Sequence, residues 1–377
     1  MTAKKTDSAH SLVSRRKMLG ALGASGMVTL AGCISSGDDD DDDADGADPD
    51  EADVSAAWIY FAEPGDLGWT FSHDQGYQAT VEAFGEDELR HTTVEDVDAA
   101  DVEETAVGLA DDGYDVIFAG SADFTDPMAA ASEQFPDVAF ETASGINSGP
   151  NYGAYHTKLY QARYLVGYAA GLLTENGQVG YVAANPVSTV YQEINGFASG
   201  LQDANADATM HLQWTNDWFD PSLEGEAAQT LIDDHDIDVI GQHQDSPSAL
   251  ETGADAGIWA SGYAAPMEEF AGEHYLMTPV FNWEEVYIQI IEEVRDGDWE
   301  AGITYPGFEA EAVDVTDPGP NVPDDVIDEV MDIRDDMIAG DGDEIVWGGT
   351  PFEDWSDEEI LFNFDSLGID NIDGQEL

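Results

Sequence analysis

The chain is 377 residues long, which is enough for two domains of ordinary size. Hydrophobic residues make up 42% and aromatic residues 10%, so the chain can bury a core and global disorder is excluded. The 81 acidic residues against 10 basic ones give a formal net charge of -71, which leaves no basic patch for phosphates and excludes nucleic-acid binding.

This acidity indicates adaptation to concentrated salt. Five of the ten basic residues precede Cys33, so only five cations remain in the rest of the chain. Such a surface repels itself in dilute buffer, whereas in molar salt the Debye length falls to roughly 3 Å and the repulsion is screened. We therefore expect a protein of an extreme halophile. The single cysteine also excludes an internal disulfide and any Cys-x-x-Cys zinc or redox site.

Residues 1–33 have the features of an export signal. Arg15 and Arg16 precede an apolar stretch that is too short to span a bilayer and that ends in Leu-Ala-Gly before Cys33. The paired arginines resemble the twin-arginine signal, and the ending resembles a lipobox whose cysteine receives a lipid. An ordinary signal peptide with a chance cysteine is the alternative. Residues 34–53 contain six consecutive aspartates and are predicted to be an extended, disordered tether.

Short apolar runs alternate with helical patterns from residue 54 onward. In the first half, strands are predicted at 56–62, 115–119, 138–141 and 153–155, and helices near 72–84 and 159–173. The alternation then restarts, with strands at 179–183, 210–214, 239–241 and 258–262 and helices near 190–204, 223–235 and 248–256. Buried runs that alternate with helices indicate parallel sheets covered on both faces, so two doubly wound α/β lobes are predicted. Ligands bind beyond the carboxyl ends of the strands in such sheets.

The last third of the chain is less regular. Helices are predicted at 283–294 and 324–338, the second of them initiated by Pro323. The tail contains aromatic residues suited to packing on the rest of the protein, namely Trp347, Trp355, Phe362 and Phe364. We expect residues 341–377 to form a C-terminal extension packed on the body.

Known catalytic motifs do not occur in this sequence. There is no Gly-x-Ser-x-Gly, no His-Glu-x-x-His, no phosphate loop and no Gly-x-Gly-x-x-Gly after the first strand. His235 and His243 lie near several aspartates, but no metal-ligand spacing stands out and solvated acidic loops are the better interpretation. We therefore expect a non-catalytic protein without a metal or a cofactor.

Aromatic residues follow two of the predicted strands, one in each half. Trp69 lies in the loop after the first strand, where a flat ligand would cover its indole by stacking, and a core tryptophan at a helix start is an equally good interpretation. Trp218 and Phe219 follow a strand of the second half, so the two loops could sandwich one planar ligand. Residues 242–247 add polar groups beyond a third strand, as a binding cleft requires.

These residues resemble the basic membrane protein family of importer-associated binding lipoproteins, whose members resemble purine or nucleoside receptors. The resemblance covers nearly all of residues 54–340, and its motifs occur in the expected order. They are the segments 66–76, 151–164, 180–184, 214–221, 242–247 and 278–283.

The resemblance implies a periplasmic-binding-protein type I fold, with two lobes joined by a hinge of three segments. Lobe 1 would comprise residues 54–157 plus about 280–300, and lobe 2 residues 158–279 plus about 301–340. The protein would be a monomer anchored through a lipid on Cys33 at the extracellular face of the membrane. It would pass a small-molecule ligand to the permease of an ABC importer.

The resemblance also implies ligand-binding residues. The stacking aromatic residues would be Trp69 on one lobe and Trp218 or Phe219 on the other. Hydrogen bonds would come from Gln244, Asp245 and Asn282, the last at a position where many members have a lysine. Thr70 stands where an asparagine often bonds the ligand, and the matching motifs add Asp66 and Trp283.

Three alternatives stay open at the sequence level. The same fold with a different ligand would bind a sugar or another small metabolite. A surface receptor would signal rather than feed transport. An enzyme of the same α/β class is the third alternative, although the sequence offers no general base to nominate.

Overall fold

The computed structural model describes residues 52–85 and 87–374, which belong to one compact unit, Gly46–Leu377. The predicted signal segment, Cys33 and nearly all of the tether lie outside the described residues. None of the helices in the described ranges combines the length and the apolar character that a bilayer crossing requires.

The described residues form thirteen strands and twelve α-helices. The strands are β1 (Val54–Ile59), β2 (Leu89–Val94), β3 (Val116–Ala119), β4 (Ala139–Ala143), β5 (Tyr152–Tyr155), β6 (Gln178–Ala183), β7 (Thr209–Trp214), β8 (Val239–His243), β9 (Trp259–Ala260), β10 (Pro279–Phe281), β11 (Ile303–Thr304), β12 (Val313–Val315) and β13 (Ile372–Asp373). The helices are α1 (Gly68–Phe84), α2 (Val102–Asp111), α3 (Thr125–Ser132), α4 (Leu159–Leu173), α5 (Ser188–Ala204), α6 (Pro221–His235), α7 (Ser248–Asp255), α8 (Glu268–Ala271), α9 (Trp283–Asp296), α10 (Asp324–Asp336), α11 (Gly342–Trp347) and α12 (Asp357–Asn363).

Two parallel sheets define two lobes. The first sheet has the order β11-β5-β4-β3-β1-β2 and the second has the order β13-β7-β6-β8-β9. All six residues of β1 are buried, because alternate side chains enter a cluster with α9 on one face and a cluster with α2 on the other. A run of small and β-branched residues suits a strand covered on both faces. The predicted fold class is therefore confirmed.

The chain crosses between the lobes three times. The first crossing joins β5 to α4, the second joins β9 to β10 and α9, and the third joins β11 to β12. β10 and β12 form an antiparallel pair that packs on α4. Lys158 lies in the first crossing and is 7% exposed. Its Nζ donates to Asp343 at 2.7 Å and lies 2.8 Å from Asp357. Because both carboxylates belong to the C-terminal extension, the extension contacts the hinge.

The C-terminal extension packs on the second lobe. Helices α11 and α12 contact α5, and β13 adds a parallel strand beside β7. Trp347 and Phe364 are 2% and 3% exposed and enclose the Phe352 ring. Ser356 begins α12 with a capping box that includes Glu359.

One element lies outside the lobe that the sequence suggests for it. Residues 301–340 are assigned above to lobe 2, whereas β11 extends the first sheet beside β5. The backbone explains this, because the amides of Ala154 and His156 donate to the carbonyls of Gly302 and Thr304 at 2.9 Å. The third crossing therefore begins after residue 304.

Candidate functional site

The aromatic residue predicted to stack on a ligand lies on α1 rather than in the loop before it. The helix begins at Gly68, so Trp69 occupies its first turn. Gly68 has a φ of +86°, which glycine adopts without strain, and a Cβ here would lie 2.8 Å from the Cβ of Asp245. Glycine at this position therefore allows the first lobe to approach the second.

One hydrogen bond and several edge-on ring contacts hold the Trp69 indole. Its Nε1 donates to the Gly120 carbonyl at 2.8 Å. Four aromatic rings lie with their centroids 4.7 to 5.9 Å away, at interplanar angles of 73° to 88°: His73, His156, Phe281 and Trp283. Trp69 is only half-buried.

Trp283 supports this arrangement from the core of the first lobe. The residue is 0% exposed, and its ring stacks on His73 at 4.3 Å and on Phe281 at 4.7 Å. Its Nε1 donates to Ser72 Oγ at 3.1 Å. Trp283 thus fixes the rings that border Trp69.

A direct hydrogen bond joins the two lobes at this point. The backbone N–H of Trp69 donates to Asp245 Oδ1 at 3.0 Å, and Asp245 follows β8 of the second lobe. Burial raises the pKa of Asp245 from 3.8 to about 6, while His243 and the Trp69 amide act in the opposite direction. The contact places the end of β8 against the start of α1.

A buried charge network supports the second lobe's side of the cleft. Arg163 Nε donates to Glu193 Oε2 at 2.9 Å, and Arg163 Nη1 donates to the Gln242 carbonyl at 2.9 Å. His243 Nε2 lies 3.5 Å from the other Glu193 oxygen, and the His243 ring stacks on Tyr263 at 4.2 Å. Glu193 therefore balances the guanidinium charge inside the protein, while Arg163 Nη2 has no hydrogen-bond partner among the described residues.

Two further histidines near Trp69 are uncharged rings. Burial lowers the pKa of His156 to about 4, against the opposing effect of Glu193. Burial and then His156 lower the pKa of His73 well below its ordinary value. Both rings are neutral at neutral pH, so each offers one donor and one acceptor nitrogen. His73 uses its Nδ1 with the Tyr287 hydroxyl at 2.6 Å.

Several buried polar atoms around these rings have no hydrogen-bond partner within the described part of the chain. Buried polar groups of folded proteins are normally paired, so unpaired atoms grouped at a cleft are a signature of a ligand site. Among them are His73 Nε2, His243 Nδ1, Arg163 Nη2, Gln192 Nε2, Gln244 Oε1 and Ser261 Oγ.

The aromatic residues suggested for the second lobe are exposed. Trp218 is 47% exposed and Phe219 is 61% exposed. The Trp218 ring centroid lies 6.1 Å from that of His243, at 50°. With its amide turned to satisfy both neighbours, Asn185 accepts from Trp218 Nε1 at 3.1 Å and donates to the Asn216 carbonyl at 3.2 Å. Trp218 thus stands near the cleft, and no ring contact joins it to Trp69.

The other suggested residues are divided between the cleft and its surroundings. Gln244 is 1% exposed and donates to Thr215 Oγ1 at 2.8 Å, which leaves its own oxygen unpaired. Thr70 is buried on α1, and Asp66 is exposed. Asn282 donates to the Glu311 carbonyl at 2.7 Å, at the start of α9. The structure therefore places Trp69, Asp245 and Gln244 near one another, whereas the Asn282 side chain bonds the Glu311 carbonyl instead.

Sequence reasoning missed the histidines and the buried ion pair. His73 follows Trp69 by four positions, so helical spacing could have placed both on one face of α1. Arg163 and Glu193 are separated by 30 residues, and no local signal joins them. His243 was weighed above as a metal ligand near aspartates, and it lies at the cleft beside Glu193.

The arrangement provides ring faces, neutral donors and acceptors, and one carboxylate at the lobe contact. Such a set can bind an uncharged, partly flat molecule. Its two buried cations each have a carboxylate partner, Glu193 for Arg163 and Asp343 for Lys158.

Comparison with known proteins gives a consistent result. Residues 54–342 match the family model described as ABC transporter substrate-binding protein, PnrA-like. A Haloferax volcanii protein described as an ABC transporter glucose-binding protein is 40% identical over 390 aligned positions, which cover 97% of this chain and 98% of the relative. A purine-binding protein of Brucella abortus is 38% identical over 282 positions, which cover 74% of this chain and 80% of the relative.

Solved structures share the fold at lower identity. An ABC transporter solute-binding protein from Conexibacter woesei superposes with a TM-score of 0.63 at 21% identity, covering 76% of this chain and 97% of that one. A transcriptional activator from Bacillus halodurans superposes with a TM-score of 0.68 at 22% identity, covering 76% and 98%. With two parallel-sheet lobes, three crossings and a family match over nearly the whole body, this chain belongs to the family of PnrA-like ABC transporter substrate-binding proteins, as the resemblance predicts.

Proposed function

We propose that this protein is an exported, lipid-anchored receptor that binds a purine base or a nucleoside between its lobes and delivers it to an ABC permease. The proposal depends mainly on one observation, the half-buried Trp69 indole beside neutral histidines and unpaired buried polar atoms. An aromatic face suits a flat heterocycle, and neutral donors and acceptors suit its ring edge.

The charges at the cleft support an uncharged ligand. His73 and His156 are neutral because burial lowers the pKa of each ring. The buried Arg163 is already paired with Glu193, and Asp245 would repel an anion. A base or a nucleoside fits this environment, whereas a nucleotide would bring phosphate charges to a cleft whose buried cations already have carboxylate partners.

A neutral sugar is the second candidate. The Haloferax volcanii relative is described as glucose-binding and aligns with 97% of this chain, whereas the Brucella abortus relative is described as purine-binding and aligns with 74%. Sugars also pack on aromatic faces, and their hydroxyl groups could pair with Gln192 and Gln244. We favour the purine because Trp69 and the rings that pack edge-on against it border the cleft, and a flat heterocycle stacks on such a face.

The experiment is to purify the protein natively in molar salt, extract it and identify the released small molecule by mass spectrometry. A purine base or a nucleoside at near-equal ratio would support the proposal. A sugar would keep the transport role and overturn the purine. If nothing is released, thermal-shift assays with adenine, adenosine, guanosine and glucose would decide, since a ligand that binds only the folded state raises the melting temperature.

A lipid on Cys33 is a separate part of the proposal. A Cys33→Ser variant removes the acylated sulfur, so the protein should move from the membrane fraction to the soluble one. Unchanged membrane association would overturn the anchor while leaving the ligand proposal intact.

We propose a monomeric receptor that feeds transport and leaves a bound nucleoside unaltered on long incubation. Turnover of the nucleoside would indicate an enzyme instead.

A further inference from the structure

Three potential metal ligands lie together on the second lobe, away from the cleft. They are His211 on β7, His235 at the end of α6 and Asp373 on β13, and one ligand atom of each lies within 4.8 Å of the others. The two imidazole rings stack at 3.9 Å with an interplanar angle of 20°, so the His235 ring would have to turn about its side-chain bonds for its nitrogen to face the same ion as His211.

The sheet register explains why the cluster forms. β13 runs parallel to β7 with Asp373 directly opposite His211. Residues in register on neighbouring strands project from the same face of a sheet. Helix α6 packs on β7, and it ends at His235. Two consecutive elements, β7 and α6, and the distant strand β13 thus contribute one ligand each.

The hydrogen bonds of His211 orient it as a ligand. Its Nε2 lies 2.7 Å from Gln178 Oε1, and the Gln178 amide nitrogen donates to the Gly177 carbonyl at 3.1 Å. That second bond fixes the Gln178 amide, so its oxygen faces His211 and Nε2 must be the protonated nitrogen. Metal-binding histidines commonly donate their other ring N–H in this way.

His211 Nδ1 is then an unprotonated acceptor, and it faces a second acceptor, Asp373 Oδ2. His211 is 6% exposed, and its Nδ1 has no hydrogen-bond partner among the described residues. Asp373 Oδ2 lies 3.3 Å from it. Two acceptors at this distance repel each other unless a proton or a cation lies between them. Asp373 is 68% exposed on its side chain, so an ion can reach the site from solvent.

We infer that His211, His235 and Asp373 bind a divalent transition-metal ion of the zinc type, which fastens the C-terminal strand to the second lobe. Two imidazoles and one carboxylate suit zinc, whereas magnesium and calcium prefer oxygen ligands alone. Water would complete a four-coordinate shell. The site is independent of the proposed ligand, and Asp373 lies beyond the residues that match the family model.

The test is zinc titration of the full-length protein, stripped with a chelator and kept in molar salt with excess magnesium, which occupies the acidic surface. One equivalent of zinc should bind, and cobalt in place of zinc should give visible absorption bands of nitrogen and oxygen ligation. His235→Ala and Asp373→Asn should each weaken zinc binding by tenfold or more. Gln178→Ala should weaken it by about 10–100-fold, the range for partners of metal-binding histidines.

His274→Ala is the matched control, because it removes a histidine of the same lobe outside the cluster and should leave zinc binding unchanged. His235 and Asp373 are not fully buried, and near-ultraviolet circular dichroism would verify that both variants fold. Uptake of no zinc by the unmodified protein would overturn the inference. So would unchanged binding in both His235→Ala and Asp373→Asn.

Discussion

Trp69 is the residue whose contribution to ligand binding can be measured most directly. We expect Trp69→Ala to weaken binding by about 1–3 kcal/mol, the range for stacking of a base on an aromatic side chain. Titration calorimetry with the co-purified ligand would measure this loss. Binding should weaken because the substitution removes a half-buried ring that four other rings hold in place.

Trp69→Phe is the control for this substitution. It keeps a ring face but removes the Nε1 donor to Gly120, so it should retain more affinity than the alanine variant. Equal affinity of the alanine variant and the unmodified protein would contradict a stacking role. Trp218→Ala, measured beside it, would report whether the exposed second aromatic residue contributes as well.

Asp245 makes stability depend on pH. Because its pKa rises from 3.8 to about 6, the folded protein binds a proton that the unfolded chain releases between these values. The contribution of this residue to the free energy of unfolding is therefore present below pH 3.8 and declines as the pH rises toward 6. Asp245→Asn keeps an oxygen for the Trp69 amide and should remove this decline. Unfolding measured across pH 4 to 6 in molar salt would show it.

Asp66→Asn serves as the comparison for that experiment, because it also removes one carboxylate, at an exposed position in the same region. The same pH slope in Asp245→Asn and the unmodified protein would show that the carboxyl is not buried against Trp69.

At the scale of secondary structure, glycines set the distance between α4 and α5. A Cβ on Gly200 would lie 2.0 Å from the Tyr164 carbonyl oxygen, and one on Gly167 would lie 2.0 Å from that of Phe197. The backbone of α4 cannot move away easily from such a contact. We therefore expect Gly200→Ala to reduce the free energy of unfolding by about 1–3 kcal/mol. Urea unfolding in molar salt would measure the change.

Gly108→Ala is the matched control, since Gly108 lies inside α2 and a Cβ there would meet nothing within 4 Å. Alanine is the better helix former, so this variant should gain about 0.5–1 kcal/mol. A Gly200→Ala variant as stable as Gly108→Ala would contradict the close packing of α4 on α5.

Hydrophobic patterning predicted the strands that are buried on both faces of their sheet and the apolar helix α4. β1, β3 and β6 are mostly apolar, and α4 is long and mostly apolar. β2 was missed because five of its six residues are only partly buried, and its Leu-Arg-His-Thr-Thr-Val run lacks a clear apolar pattern. β11 and β13 are two residues each, and only long-range pairing defines them.

Only those parts of the candidate site that depend on local sequence could be predicted. The aromatic position Trp69 and the polar segment after β8 could be predicted, because they follow strands whose ends meet at one edge of a sheet. The start of α1 was misplaced, since Gly68 has a positive φ and no side chain caps the helix. The pairing of Arg163 with Glu193 and the approach of Asp245 to Trp69 depend on how the lobes close, which no local pattern contains.

At the scale of the whole molecule, the net charge of -71 should make folding depend on salt. The Debye length shortens from about 10 Å at 0.1 M salt to about 3 Å at 1 M, so repulsion between carboxylates is largely screened. We expect the melting temperature, measured by circular dichroism, to rise steeply with sodium chloride over this range and beyond. Sucrose at matched water activity is the uncharged control, and an equal rise in sucrose would contradict electrostatic screening as the cause.

The hinge lysine has a practical consequence for capturing this receptor with its permease. Lys158 is the one lysine after Lys17, and Asp343 and Asp357 both cover its ammonium group. Amine-directed cross-linkers therefore have no accessible lysine to attack within residues 52–85 and 87–374. Carbodiimide coupling, which joins a carboxylate of one protein to an amine of another, would use the abundant acidic groups of this surface and the lysines of the partner.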